Sequence, residues 1–192
     1  MKSFHPGKNI VLPAVFAVYL YLLAKAILFK LGPLELDYLI DRFKHNWENP
    51  RDIIKRYEAS GNIIPFKEIA QDLKQPIDFL QFPPDNLIGN IEVFIPFGLM
   101  APLFFHRCCR SWAGMLMTSL LWSGSFEMIQ LLLSIGTFDV DDMILNVTGG
   151  MIGYTVFRLC KLSRKPKEAQ AAKAKSKSPL RRQPNGQGEG AG

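Results

Sequence analysis

Four long apolar stretches interrupt this 192-residue chain, and they limit its possible folds more than any other feature. They cover residues 10–29, 87–105, 112–135 and 143–162. Each has about the 20 mostly apolar residues that an α-helix needs to cross the hydrocarbon core of a bilayer. Because lipid offers the backbone no hydrogen-bond partners, such spans are helical. The sequence therefore predicts an all-α integral membrane protein built on a four-helix transmembrane bundle.

The distribution of Lys and Arg predicts the orientation of the bundle, since cytoplasmic loops carry an excess of both. Basic residues precede the first span, occupy the turn between the second and third, and follow the fourth. The turn between the third and fourth spans instead carries Asp139, Asp141 and Asp142 and no basic residue. We therefore expect both termini to lie in the cytoplasm.

The segments outside the spans have two different compositions. Residues 30–86 have balanced charge, stretches of helical periodicity and several prolines, which indicates a long extracytoplasmic loop carrying short amphipathic helices. Residues 164–192, rich in Lys, Ala, Ser, Gly and Pro, are predicted to be a disordered cytoplasmic tail beyond a transmembrane domain of residues 1–163. The formal net charge of +6 comes mostly from this tail. Such a tail is more typical of solvation or an anionic lipid surface than of nucleic-acid binding.

Polar side chains inside the predicted spans fall at one depth. Such side chains are costly in lipid and therefore face the interior of a bundle. With a helical rise of about 1.5 Å per residue, the deeper ones lie about 6 to 12 Å below the outer surface. These are Asn90, Glu127, Gln130 and Asn146, while Asn86 and Asp142 stand at the outer ends of the second and fourth spans. With Asp139 and Asp141 of the turn, they predict a polar cluster open to the outside.

Helical spacing supports this cluster, although a purely structural role also explains it. Glu127 and Gln130 share a face of the third span, and Asp142, Asn146, Gly149 and Gly153 share a face of the fourth. Gly149 and Gly153 form a GxxxG pair that permits close approach of two helices. The structural alternative is that the polar residues only join the helices, at about 0.6 to 2 kcal/mol each.

Two charged residues lie apart from the cluster. Lys25 is in the first span and Glu92 in the second. We expect them to form an ion pair inside the membrane, because a single charge there is costly.

Four motifs resemble those of the VanZ-like family of membrane proteins and occur in the same order. They cover residues 61–159 and lie in the loop and at each of the last three spans. The motifs are Asn62-Ile63-Ile64-Pro65-Phe66, Asn86-x-x-Gly89-Asn90-x-x-x-Phe94-x-Pro96-Phe97-Gly98, Ser125-Phe126-Glu127-x-x-Gln130 and Phe138-Asp139-Val140-Asp141-Asp142-x-x-x-Asn146-x-x-Gly149-x-x-x-Gly153.

This resemblance implies a multi-pass protein of the bacterial cytoplasmic membrane, from a family named for teicoplanin resistance. It also adds Asn62 to the candidate binding residues. The chain departs from the family at two points: Gly136-Thr137 precedes the acidic run where many members have a basic residue, and Glu92 replaces a commonly apolar residue. The first departure argues against a role that needs a cation beside the aspartates, including direct resistance to the drug.

Three functions fit these features. The leading hypothesis is that the cluster binds or modulates a lipid-linked cell-wall precursor or a lipid headgroup, without cofactor or metal. The alternative is an intramembrane enzyme acting on a lipid phosphate or ester, with Glu127 as general base and Asp142 as its acidic partner or a metal ligand. The predicted cluster contains no His, Cys or nucleophile motif, which favours the binding protein. A small transporter comes third, since no internal repeat is visible.

Overall fold

The computed structural model describes residues 10–29, 32–74 and 86–177, the last fourteen of these as backbone only. This described part is helical and contains no β-strand beyond one isolated bridge. Its helices are α1 (Val11–Phe29), α2 (Leu36–Glu48), α3 (Pro50–Ser60), α4 (Lys67–Asp72), α5 (Asn86–Phe104), α6 (Trp112–Leu133) and α7 (Val140–Lys177). A short 3-10 turn, Cys108–Arg110, joins α5 to α6.

Four of the described helices are long and apolar enough to cross a membrane, which confirms the predicted spans to within a few residues. They are α1, α5, α6 and the part of α7 from Val140 to Ser163. Contacts at the helix ends show that successive spans run in opposite directions. The ring of Phe16 stacks on Phe104 with centroids 4.2 Å apart, and Gln130 Nε2 donates to the Ile27 carbonyl over 2.8 Å. The start of α1 therefore meets the end of α5, and the end of α1 meets the end of α6.

Helices α5 and α7 pack backbone against backbone. A Cβ atom on Gly149 would collide with the Ile91 carbonyl oxygen, and one on Gly153 with that of Ile95. Gly98 on α5 lies equally close to Gly150 on α7. This is the close approach that a GxxxG spacing permits, because only glycine leaves room for a neighbouring helix backbone.

The core between the spans is aromatic. Phe94 and Phe97 of α5 are fully buried, and their rings meet at 5.6 Å. Trp122 and Phe126 of α6 pack against them with centroids 5.6 to 6.4 Å apart. Ring contacts of this kind add about 0.5 to 1.5 kcal/mol each beyond their buried area. They set the rotation of α5 and α6 about their axes.

Helices α2 and α3 complete the hydrogen bonding at the C-terminal end of α6. Asn46 of α2 is buried and donates through Nδ2 to the Leu132 carbonyl over 2.5 Å and to Ser134 Oγ over 2.8 Å. Arg56 of α3 donates to the same hydroxyl and to the Leu131 carbonyl. The last carbonyls of a helix lack partners within it, so these donors fix both loop helices to the end of α6.

The helix that contains the fourth span is longer than the span itself. Helix α7 continues past residue 163 to Lys177, into the stretch predicted to be disordered. Lys, Ala, Glu and Gln predominate there and are good helix formers, which explains a helical backbone without a core. Residues 178–192 lie outside the described part. By its contacts the chain divides into two units, residues 1–157 and 158–192.

The ion pair predicted between Lys25 and Glu92 is not formed in this structure. Neither residue takes part in a salt bridge with another residue that the structure describes. Glu92 is exposed because its neighbours hold α5 on either side of it. The carbonyl of Val93 accepts a hydrogen bond from Tyr19 of α1 over 2.7 Å, while Ile91 packs against α7.

Candidate functional site

The candidate site forms where the loop meets the turn between α6 and α7. The backbone amide of Asn62 donates to the Phe138 carbonyl over 2.8 Å, and the amide of Val140 donates to the Asn62 carbonyl over 3.0 Å. This isolated parallel bridge pairs Asn62 with Asp139. It brings the Asn-x-x-Pro-Phe motif of the loop to the acidic run, which lies some 77 residues further along the chain.

Asn62 and Asp139 are both buried and bonded to each other. Asn62 Nδ2 donates to Asp139 Oδ1 over 2.9 Å, and the Asp141 amide donates to the same oxygen over 2.7 Å. Asn62 Nδ2 also lies 3.4 Å from Asp141 Oδ2. One amide side chain therefore links two carboxylates of the turn.

Asp141 accepts hydrogen bonds from the first turn of α4. Its Oδ1 accepts from the Phe66 amide over 2.5 Å, and its Oδ2 from the amides of Glu68 and Ile69 over 2.7 and 3.2 Å. An N-cap residue normally satisfies these amides from within the helix, whereas here the cap comes from α7. Phe66 adopts a left-handed conformation with φ of 68°, which costs an L-residue about 1 to 2 kcal/mol. The bond to Asp141 helps to hold it there.

Glu127 is a fully buried carboxylate of the site. Its Oε2 accepts a hydrogen bond from the Asp139 amide over 2.8 Å, so the end of α6 is tied to the start of α7. Its Oε1 is buried and has no hydrogen-bond partner among the described residues. A buried acceptor without a partner costs about 1 to 3 kcal/mol or more, so a donor that reached Oε1 would stabilise the protein.

Asp142 joins α7 to α5. Its Oδ1 accepts from Nδ2 of both Asn86 and Asn90, each over 2.7 Å. Asn86 is exposed and Asp142 is half-buried, so this is the accessible side of the site. The side chains of these three residues, which the sequence analysis predicted to lie in one layer, are therefore in direct contact.

Below these residues the contact between α6 and α7 is polar and fully buried. Asn146 Nδ2 donates to Ser123 Oγ over 2.9 Å. Asn146 Oδ1 and Ser119 Oγ have no hydrogen-bond partner among the described residues. A line of buried polar atoms thus leads from Glu127 toward the middle of the bundle.

Gln130 does not join the site. Its amide donates to the Ile27 carbonyl at the end of α1, and its side chain packs against Gly136. Three residues beyond Glu127, it lies on the same broad face of α6 but contacts a different neighbour. Gln130 therefore connects two spans, as the structural alternative predicted for the whole group.

Glu68 belongs to the site although the sequence analysis missed it. Its carboxyl, half-buried on α4, shares a hydrogen bond with Asp139, and this bond, together with burial and the nearby charges of Asp139, Asp142 and Asp141, raises the pKa of Glu68 to about 7. The only signal in the sequence was a carboxylate two residues after the Pro-Phe of the loop motif. Its partner could not be found without the tertiary structure.

We call these five side chains the acidic cluster: Glu68, Glu127, Asp139, Asp141 and Asp142. Most of their bonds come from amide donors of the loop and of α5, and acceptor oxygens dominate the site. Within the described residues, His, Cys, Asp and Glu side chains form no group that could hold a metal ion. The arrangement is suited to binding hydrogen-bond donors or to sharing protons between carboxyl groups.

Comparison with known proteins finds the same relationship that the motifs indicate. A family model described as VanZ/LLP1 matches residues 16–161, which include every residue of the acidic cluster. Protein VanZ of Enterococcus faecium is 36% identical over 76 residues, which is 38% of this chain and 45% of that protein. The chain therefore aligns with less than half the length of this relative. No solved structure matches.

Proposed function

This chain belongs to the VanZ/LLP1 family, and from that premise we propose that its acidic cluster binds a lipid headgroup or a lipid-linked cell-wall precursor at the membrane surface. The protein would act as a binding or modulating component of the bacterial cell envelope, linked to tolerance of glycopeptide antibiotics. Four membrane-spanning helices and the position of the cluster at one end of the bundle support this proposal.

The observation that carries the proposal is the free oxygen of Glu127. Oε1 is fully buried and has no hydrogen-bond partner in the part of the chain that the structure describes, while Oε2 of the same carboxylate is held by the Asp139 amide. Packing alone gives no reason to bury half a carboxylate without a partner, because the unsatisfied oxygen destabilises the fold. A ligand that donates a hydrogen bond to Oε1 removes that cost.

The chemistry of the cluster defines the part of the ligand that it can bind. Carboxylates accept hydrogen bonds and repel anions, so the phosphate of a lipid would not sit among them. Ammonium, hydroxyl and amide groups are donors and fit. We expect the donor to enter beside Asp142, a half-buried member next to the exposed Asn86.

The orientation of the bundle is part of the proposal, since cell-wall precursors are exposed outside the cytoplasm. To test the orientation, single cysteines are introduced at Ile63 in the loop and at Arg107, and intact cells are treated with a membrane-impermeant thiol reagent. The three native cysteines, all free, are first replaced. Labelling at position 63 and not at 107 is expected. The opposite pattern would place the cluster in the cytoplasm and exclude an external precursor.

The enzyme alternative uses two residues of the same cluster. Asp142 Oδ1 is already occupied by two asparagine donors, and Glu127 Oε2 by a backbone amide. These bonds position the two carboxylates, but none of the bonded groups is a nucleophile. The test is whether the purified protein converts the lipid of phosphatidylethanolamine or phosphatidylglycerol vesicles. Activity that is abolished in Glu127→Gln would establish the enzyme in place of the binding protein.

The binding proposal is tested with Glu127→Gln, which keeps the size of the side chain and removes its charge. Short-chain phosphatidylethanolamine, whose ammonium is a donor, should raise the melting temperature of the wild type, while phosphatidylcholine, whose headgroup has no hydrogen-bond donor, should not. We expect this shift to be lost in Glu127→Gln and kept in Glu58→Gln, which changes an exposed carboxylate on α3. In a strain that lacks this protein, expression of Glu127→Gln should not restore the tolerance of glycopeptides that the wild-type protein restores.

Asn146→Ala serves as a control for the integrity of the cluster, because Asn146 bonds Ser123 across the α6–α7 contact. It should be defective whether the cluster binds a ligand or only joins helices. A stable and fully active Glu127→Gln protein, beside a defective Asn146→Ala protein, would overturn the proposal and leave the polar residues as helix contacts.

A further inference from the structure

Helix α2 carries a stripe of large apolar side chains that face away from the rest of the protein. Leu36, Ile40, Phe43 and Trp47 are 61%, 50%, 49% and 79% exposed. Their spacing of four, three and four residues puts them on one side of the helix. Four such side chains in a row on a helix of 13 residues need an apolar environment that the described part of the chain does not provide.

The other sides of α2 show how the helix is held. Asn46, which is buried, and Leu39, which is half-buried, lie seven residues apart on the side that meets the bundle. Charged residues occupy the side opposite the bundle-facing one. These are Asp37, Asp41, Lys44 and Glu48, all exposed. The apolar stripe therefore lies between the bundle-facing side and the charged side, and points sideways from the bundle.

The depth of α2 is set by its bonds to α6. Asn46 donates to the carbonyl of Leu132 and to the hydroxyl of Ser134, at the last residues of a membrane-spanning helix. Leu132 itself is exposed and continues an apolar stripe along α6 that includes Met128 and Leu121. The apolar surface of α2 thus begins where the lipid-facing surface of α6 ends.

We propose that α2 is an interfacial helix whose stripe inserts into the acyl chains of the bilayer at this end of the bundle. An amphipathic helix with aromatic and aliphatic residues on one side and charges on the other lies in the plane of the membrane with its apolar side about 5 to 10 Å deep. Phe43 and Trp47 have centroids 6.1 Å apart, and aromatic residues of this kind concentrate at membrane interfaces.

A second copy of the chain is a less suitable partner for this stripe. A stable protein interface buries about 800 Å² on each partner. Four partly exposed side chains in a single row offer on the order of a few hundred Å². Insertion into lipid requires no minimum buried area, because the transfer of each apolar side chain from water into lipid is favourable by itself.

The inference is tested by measuring the depth of two positions on α2 in phosphatidylcholine–phosphatidylglycerol vesicles. Spin labels are attached to Phe43→Cys, on the stripe, and to Glu48→Cys, on the charged side, in a chain without native cysteines. Their relaxation by oxygen, which concentrates in lipid, is compared with that by a water-soluble nickel complex. We expect position 43 to lie about 5 to 10 Å below the headgroups and position 48 to remain in water.

Two results would overturn the inference. If both labels are relaxed mainly by the nickel complex, α2 lies in water. If position 43 is shielded from oxygen and from nickel, protein covers the stripe, and a second copy becomes the occupant.

Tryptophan fluorescence tests the insertion of α2 in the chain with its native cysteines. The result is then independent of any destabilisation caused by replacing them. Lipids brominated near the headgroup quench tryptophans that lie at the interface. We expect wild-type fluorescence to contain a strongly quenched component that Trp47→Phe lacks. Equal quenching of both proteins would also contradict the insertion of α2. This test does not involve the acidic cluster, so it can fail or succeed independently of the proposed ligand.

Discussion

Glu127 accepts a hydrogen bond of 2.8 Å from the backbone amide of Asp139, twelve residues later in the chain. The first residue lies near the end of a membrane-spanning helix and the second in the turn before the next one. This single bond couples the buried carboxylate to the backbone of the turn that carries the three aspartates. A change at residue 127 that removes this acceptor therefore affects the position of the turn.

Glu127→Leu and Glu127→Gln should differ in stability for this reason. Glutamine can still accept from the Asp139 amide, whereas leucine leaves that buried amide without a partner. We expect Glu127→Leu to lose about 1 to 3 kcal/mol and Glu127→Gln much less. Thermal unfolding in detergent measures both. Equal losses in the two variants would mean that the bond to Asp139 contributes little.

Asp141→Ala should release α4 from the turn. The carboxylate accepts bonds from three backbone amides and lies near the amide of Asn62, so its removal leaves the first turn of α4 without a cap. Losing a helix cap costs about 0.5 to 2 kcal/mol. Hydrogen exchange of residues 66–70 should accelerate, while that of α3 stays unchanged. Asp52→Ala, at a surface carboxylate on α3, is the matched control, and it should leave α4 protected.

Stability should fall as the pH rises through about 7, because of Glu68. The hydrogen bond to Asp139 and the neighbouring carboxylates hold the pKa of Glu68 at about 7. A carboxyl whose pKa is higher in the folded than in the unfolded chain binds its proton more tightly when folded. Its contribution is therefore complete below the pKa of the unfolded chain and is lost as the pH rises through the folded value.

The measurement is the melting temperature at about pH 5.5 and about pH 8.5, on either side of that titration. On going to the higher pH, the melting temperature of the wild type should fall more than that of Glu68→Gln, whose side chain cannot titrate. Glu58→Gln, at an exposed carboxylate on α3, should behave as the wild type does. If Glu68→Gln shows the same pH dependence as the wild type, the carboxyl pair with Asp139 does not control it.

Gly149→Ala should destabilise the contact between α5 and α7. A new Cβ would collide with the Ile91 carbonyl oxygen, and backbone atoms cannot rotate away as a side chain can. Overpacking of this kind costs about 1 to 3 kcal/mol. Gly124→Ala on α6 is the control, because there the new atom meets only the flexible tip of Met143 at 3.3 Å. Unfolding in detergent should separate the two variants, and equal stability would show that the α5–α7 contact can relax.

Several parts of the site could be predicted because they depend on one helix at a time. The length and apolar content of each span predicted four membrane helices, and the structure confirms them. The depth of Asn86, Asn90 and Asp142 followed from the helical rise, and their side chains do meet. The motifs predicted the family, which the family match confirms.

Tertiary structure alone decided which neighbour each polar side chain contacts. Gln130 and Glu127 are three residues apart, yet one bonds α1 and the other the turn. The bridge between Asn62 and Asp139, and the inclusion of Glu68, depend on how the loop docks on the bundle. Lys25 and Glu92 remain apart because contacts on both sides of Glu92 turn its side chain outward.

The physical reason is that periodicity within a sequence describes one helix, whereas rotation about the helix axis is set by packing between helices. The apolar content of α5 and α7 predicted that each crosses the membrane. The GxxxG pattern of Gly149 and Gly153 predicted a close approach of two helices, but it did not specify that α5 would be the neighbour or how the two helices would be rotated. The sequence by itself determined which segments cross the membrane and which residues are polar at that depth, and the packing of the helices and the loop determined which of those residues form one site.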